Sequence, residues 1–206
     1  MYGIPFPGTY ILDAKGIVRS KFFEEDYAER VTAAAILTRQ FQIRGGASVS
    51  KAETRHLRLI AAASNSHAWP GAKITLTIEV EMKPRMHVYA PGVQHSYIPV
   101  RWSITPGKGW LAGPAVFPLS KILRLEAIRE TVPVFEGRFR IVRDLTFGED
   151  LGDSTNVTVE GDFQYQACND KVCYQPQRVP LTWVFERRAQ DAQRVPAILR
   201  PNGVPE

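Results

Sequence analysis

Apolar and polar residues alternate with a period of two along two stretches of this chain. In the first, Ile74, Leu76, Ile78, Val80 and Met82 are interleaved with Thr, Glu and Lys; in the second, Val179, Leu181, Trp183 and Phe185 recur at the same spacing. Successive side chains of a strand point to opposite faces, so each run predicts a strand with one buried face. Further β-favouring runs fall at 56–63, 97–105, 121–129, 138–147 and 155–167. The turn pairs Pro91-Gly92, Pro106-Gly107 and Gly113-Pro114 separate several of them. About seven short strands at this spacing predict a mainly β fold, a β-sandwich.

The first 44 residues follow a different pattern. The apolar runs 9–12 and 17–23 flank the turn-forming Asp13-Ala14-Lys15-Gly16, which predicts a β-hairpin. Asp26 reads as a helix N-cap, with Glu29 three residues on to complete a capping box. The helix is expected from Tyr27 to about Phe41, because Tyr27, Val31, Ala34, Ala35 and Thr38 share one face at helical spacing. Gly45-Gly46 is expected to end it. The chain thus divides into a hairpin-plus-helix segment (1–44), a polar linker (45–55), the β domain (56–188) and a flexible, proline-containing tail (189–206).

Composition narrows the function without naming it. With 206 residues, 44% of them hydrophobic, the chain can bury a sizeable core. The net charge is +5, but the basic residues are scattered and pairs such as Arg187-Arg188 make no stripe, which argues against nucleic acid as a partner. No apolar run approaches the roughly 20 residues that cross a bilayer. The turn-rich opening Tyr2–Gly8 is not a signal peptide. If the protein is exported, its signal lies upstream or has been removed.

The two cysteines are Cys168 and Cys173. Two thiols cannot supply a four-thiolate zinc site. They could be a redox pair, a structural disulfide or two buried thiols. Asn169 and Asp170 are good turn formers, so a four-residue loop would set the cysteines opposite each other across a hairpin neck. Residues so opposed sit about 4.5–5.5 Å apart at Cα, within reach of a disulfide. Closing so short a loop removes little entropy from the unfolded chain, which makes it a weak staple and tilts the balance toward exchange chemistry. Spacing alone leaves both the redox and the structural reading open.

The surroundings of the pair carry more. The run Tyr165-Gln166-Ala167-Cys168-Asn169-Asp170-Lys171-Val172-Cys173-Tyr174-Gln175-Pro176, followed by Val179-Pro180-Leu181, resembles the periplasmic N-terminal domain of the transmembrane thiol:disulfide interchange reductases, the DsbD family and its disulfide bond corrector relatives. Met86-His87-Val88-Tyr89-Ala90-Pro91 resembles that family's early aromatic strand, and Phe135-Glu136-Gly137 its cap loop, across roughly residues 56–187. Acidic residues often precede the cap phenylalanine in the family; here Val132-Pro133-Val134 stands in their place.

The resemblance implies an immunoglobulin-like sandwich, no bound cofactor and an extracytoplasmic, periplasmic location. It implies partners of two kinds, a membrane thiol reductase domain that supplies electrons and thioredoxin-like extracytoplasmic proteins that receive them. It makes Cys173 the thiol that attacks and Cys168 the one that resolves. Tyr89, Tyr165 and Tyr174 are expected to wall the site, His87 to assist proton transfer, Lys171 to favour a thiolate, and Phe135 to shield the disulfide. Residues 2–13 with 22–27 resemble the end of a thioredoxin-like redoxin domain, with Pro7 at the position of its cis-proline. That domain's catalytic cysteine would lie upstream, so the segment reads as a remnant, from a truncated gene model or a fragment of a longer protein. Two other readings stand beside exchange. One is a non-catalytic interaction module with a structural disulfide. The other is a copper-handling protein using Met82, Met86 and His87, which the opposite-face rule for neighbouring strand residues disfavours.

Overall fold

The structure, a computed structural model, describes residues 8–23, 30–43, 47–94, 96–125, 129–169 and 171–189. Pro7, the Asp26/Glu29 capping box, Gly45-Gly46, Asp170 and all but the first residue of the tail lie outside them. In chain order the elements are β1 (Gly8–Leu12), β2 (Val18–Phe23), β3 (Arg30–Val31), α1 (Ala33–Gln40), β4 (Ala47–Glu53), β5 (Leu57–Ala63), β6 (His67–Ala68), β7 (Ala72–Met82), β8 (His87–Tyr89), β9 (Arg101–Ile104), β10 (Trp110–Ala112), β11 (Lys121–Leu125), β12 (Glu130–Glu136), β13 (Arg138–Phe147), β14 (Asn156–Tyr165), β15 (Ala167–Cys168) and β16 (Gln177–Arg187).

Two sheets form the sandwich. One runs β10-β13-β7-β5-β4, with β3 added parallel to β7; the other runs β6-β16-β14-β9. The period-two runs supply their facing sides. Leu57, Ile74, Leu76, Ile78 and Ile141 come from the first sheet and Trp102, Val159, Phe163, Trp183 and Phe185 from the second; all are buried in one continuous core. Gly161 in β14 lies so close to β9 that a Cβ there would meet the Ser103 carbonyl oxygen at 2.3 Å, so only glycine permits that pairing.

A third sheet, β11-β12-β8-β15, covers one end of the sandwich and carries the cysteines. β12 passes into β13 through Gly137, whose φ of 61° lies in the left-handed region that glycine adopts without a Cβ clash. There the chain leaves the end sheet and enters the main one.

Three segments differ from expectation. The stretch read as a polar linker holds β4, which pairs antiparallel with β5 from Ala47 to Glu53. Its residues are small or polar and none is fully buried, so it is an edge strand that β5 recruits rather than one its own hydrophobicity announces. The helix is shorter than expected. Arg30–Val31 pair with Ala72 and Lys73 as a strand, and α1 starts at Ala33 with Thr32 as N-cap, its Oγ1 accepting from Ala35 N at 3.1 Å. Ala35, Ile36 and Thr38 form the buried face of α1, which packs on β7. Arg39 pairs with Asp144, fastening the helix to β13. Finally, the run 121–129 ends as a strand at Leu125, and β12 is a separate strand where a cap loop was expected. The N-terminal hairpin forms as expected, with Asp13 Oδ1 accepting from Lys15 N and Ile17 N in its turn.

Candidate functional site

β15 ends at Cys168, and the chain turns back to Cys173 through a loop organised by one side chain. Asn169 Oδ1 accepts from Lys171 N at 2.9 Å and from Val172 N at 2.8 Å, while Asn169 N donates to Val172 O at 2.9 Å. Asparagine suits this position because its side-chain carbonyl imitates a backbone acceptor. Tyr174 N then donates to Ala167 O at 2.9 Å, closing the neck. Cys168 and Cys173 are joined in a disulfide with Cα atoms 4.0 Å apart. That is closer than the opposed residues of a regular ladder, because the two form an isolated bridge pinched by the turn.

The two cysteines are placed unequally. Cys168 is 1% exposed and belongs to a small core with Tyr89, Val132 and Val134, against which Val93, Tyr97, Leu123 and Leu125 pack. Cys173 is exposed. Of the two residues, Cys173 is the one open to solvent, and Cys168 is covered by the cluster of the end sheet.

β8 aims two expected residues at the pair. His87 stands opposite Cys168 in the β8–β15 register, and Tyr89, two residues on, shares that face. Their rings meet edge to face at 5.8 Å. Tyr89 Oη lies 3.5 Å from Cys173 Sγ. A disulfide sulfur carries no proton, so the phenol is the donor. Burial, and then the charge of Glu130, push the Tyr89 pKa above its ordinary value, so the phenol keeps its proton. Tyr97, 4.6 Å from the Tyr89 ring, donates from its Oη to Glu130 Oε2 at 2.8 Å. That hydrogen bond, reinforced by desolvation, pushes Tyr97 up to about 12.

Other expected residues lie elsewhere. Phe135 pairs with Val88 across β12–β8, and its side chain enters the main core, stacked 4.8 Å from Phe139 and 6.2 Å from Phe117. Val132 and Val134, at alternate positions on β12, are the β12 residues that cluster with Cys168. Tyr165 is also in the main core; its hydroxyl shares a hydrogen bond with Thr54 Oγ1 at 2.7 Å and donates to Gln177 Oε1 at 3.1 Å. The Tyr174 Oη accepts from Asn169 Nδ2 at 3.1 Å, and its ring lies 4.6 Å from that of His56. Lys171 is exposed on the loop. Met82 and Met86 pack in or against the main core, whereas His87 is on the opposite side with Tyr89, so the three do not converge as copper ligands would.

Residues that sequence reasoning missed complete the surroundings: Thr54, Arg55 and His56 behind the loop, and Tyr97 and Glu130 beside Tyr89. No local pattern marks them, because each reaches the site through a long-range contact.

Comparison with known proteins gives this geometry a context. The family "Thiol:disulfide interchange protein DsbD, N-terminal" matches residues 57–182, more than half of the chain. Among solved structures, the N-terminal periplasmic domain of ScsB from Proteus mirabilis is similar at 12% identity and a TM-score of 0.47, covering 68% of this chain and 51% of that one. This chain therefore spans about half the length of that protein's structure. The N-terminal domain of DsbD from Neisseria meningitidis in its reduced form is similar at 12% identity and a TM-score of 0.39, covering 54% of this chain and 77% of that one. A Neisseria meningitidis complex between the DsbD and PilB N-terminal domains is similar at 13% identity and a TM-score of 0.38, covering 52% and 73%. No curated protein matches. No helix among the described residues is long and apolar enough to cross a membrane. With its immunoglobulin-like β-sandwich and a cysteine pair at disulfide distance on the end sheet, the chain belongs to the family of the N-terminal domain of the thiol:disulfide interchange protein DsbD.

Proposed function

We propose that the Cys168–Cys173 pair is a thiol–disulfide exchange centre that passes reducing equivalents from a membrane thiol reductase domain to thioredoxin-like extracytoplasmic proteins. The observation that carries the reading is the inequality of the two cysteines, one residue exposed and one buried in the same short loop. In the charging step, a donor thiolate attacks Cys173 Sγ, the Cys168–Cys173 bond breaks and Cys168 leaves as a thiolate. The donor's second thiolate then attacks the donor sulfur of the mixed disulfide and releases Cys173 as a thiolate. The donor leaves oxidised, and the pair has gained two electrons and, on protonation, two protons. In the discharging step Cys173 attacks a partner disulfide, and Cys168 resolves the mixed disulfide by attacking Cys173 Sγ, which releases the partner reduced. On this reading Tyr89 Oη, 3.5 Å from Cys173 Sγ in the disulfide, hydrogen-bonds Cys173 when it carries the negative charge. On this reading His87, which stands opposite Cys168, takes up or returns the proton of the resolving thiol.

The test is the reduction potential of the pair in glutathione buffers, with thiols counted by mass. A value between about −120 and −270 mV, the range of known exchange proteins, is expected. A value below about −300 mV marks a structural disulfide and would leave a non-catalytic interaction module as the function.

A further inference from the structure

One buried titratable group near the cysteines takes no part in the exchange steps. His56 is 3% exposed in the turn between β4 and β5, and neither of its ring nitrogens has a hydrogen-bond partner among the described residues. Its ring lies 4.6 Å from that of Tyr174, tilted by 37°, and 6.2 Å edge-on from that of Tyr165. Tyr174 directly follows Cys173. The turn that presents His56 is anchored by its backbone. Thr54 Oγ1 accepts from His56 N and Leu57 N, and Lys83 N donates to His56 O at 2.8 Å. The ring is thus the one part of His56 that faces the cysteine loop.

We propose that His56 is a positioning residue for Cys173: its neutral ring clamps Tyr174, and protonating it releases the cysteine loop. The idea rests on the exchange reading for its significance but not for its test. An imidazolium has two N–H donors to satisfy, and the site offers two aromatic rings. The Tyr174 face already carries the Arg55 guanidinium, 5.4 Å from the ring centroid, which opposes a second cation there. Among the described residues, the charged groups of the elements packed here are Arg55 on the turn, Glu53 at the end of β4, Arg58 on β5, Lys83 after β7 and Lys171 on the cysteine loop. Glu53 is engaged by Lys83 and Arg58, and the buried Tyr165 phenol stays neutral. Burial first, and Arg55 second, hold the His56 pKa below its ordinary range. A histidine depressed in the clamped state and ordinary in the released one favours the clamp above about pH 6.5. The clamp weakens as pH falls from there toward the depressed value. Across that window the released-to-clamped ratio rises about tenfold for each unit separating the two pKa values.

The experiment measures how fast tris(2-carboxyethyl)phosphine reduces the disulfide of the full chain, from about pH 4.5 to about pH 8, a range that brackets the ordinary histidine pKa. Wild type is compared with His56→Phe, which keeps an aromatic ring and removes the proton. Their rate ratio cancels the phosphine's own titration. The ratio is expected to be flat above about pH 7 and to rise several-fold in favour of wild type in acid. A ratio that stays flat throughout overturns the proposal. If His56→Phe does not fold, NMR on wild type decides. The Tyr174 ring resonances must move with the midpoint of the His56 titration, and indifference to that midpoint overturns the proposal equally. A phosphine reduces any accessible disulfide, so this result is independent of the glutathione potential that tests the exchange reading.

Discussion

Replacing Tyr89 with phenylalanine removes one hydroxyl from beside the Cys173 sulfur and leaves the ring, which Val132 and Val134 hold in place. A hydrogen bond between neutral groups contributes about 0.5–1.5 kcal/mol net, and one to a charged group about 1.5–3 kcal/mol. The hydroxyl therefore favours the Cys173 thiolate over its thiol by roughly 1–1.5 kcal/mol. One pKa unit corresponds to about 1.36 kcal/mol, so Tyr89→Phe should raise the Cys173 pKa by about one unit. The phenol can act across this range because its own pKa is raised by burial and by Glu130, which keeps it a donor well into alkaline solution. The assay is the pH dependence of alkylation of Cys173 by iodoacetamide in a Cys168→Ala background, with and without Tyr89→Phe. Below the midpoint, the rate should fall about tenfold with Tyr89→Phe, because only the thiolate reacts. A midpoint that stays where it was, or moves down, would refute the assignment of this hydroxyl as a donor to sulfur.

Three further outcomes follow from the packing. Tyr165→Phe strips the buried hydroxyl shared with Thr54 and Gln177 and should cost about 1–3 kcal/mol in urea unfolding; a cost equal to that of a surface substitution would mean the hydroxyl is solvated. Trp183→Ala empties a fully buried site on β16 and should cost about 3–5 kcal/mol, read as a lower denaturation midpoint at unchanged slope. Asp162 gives a pH dependence. Burial works against its charge, but Arg178, Ser103 and Gln164 together hold its pKa below the ordinary carboxylate value. Its contribution is thus complete above about pH 4 and lost as pH falls through the depressed folded value. Asp162→Asn should flatten that acid limb of the stability profile, and an unchanged limb would place the lost stability elsewhere.

Phe135 shows where reading from sequence reaches its limit. Its neighbours Val132 and Val134 are as apolar as it is, so the alternation on β12 does not say which set faces the disulfide. The choice was made by register: Phe135 falls opposite Val88 and enters the main core, and the even-numbered valines face Cys168. β4 was illegible for a related reason, since an edge strand of small and polar residues has no periodic signature until β5 supplies its hydrogen bonds. The helix shortened because Val31 found a place beside β7 instead of continuing a helical face.

By itself the sequence determined the parts that depend on neighbours along the chain. Burying one face of β7 and β16 requires alternation within those residues, so their pattern announced strands and a sandwich core. The Cys168–Cys173 loop is likewise local, closed by a turn that Asn169 makes with residues two and three positions on. Tertiary structure decided which side chains stand around that loop. Tyr89 lies 84 residues from Cys173 along the chain, Tyr165 lies 111 from Thr54, and Glu130 lies 33 from Tyr97. The inequality of the two cysteines was decided there too, because exposure belongs to a surface, and the end sheet that buries Cys168 is assembled from four separate stretches of chain.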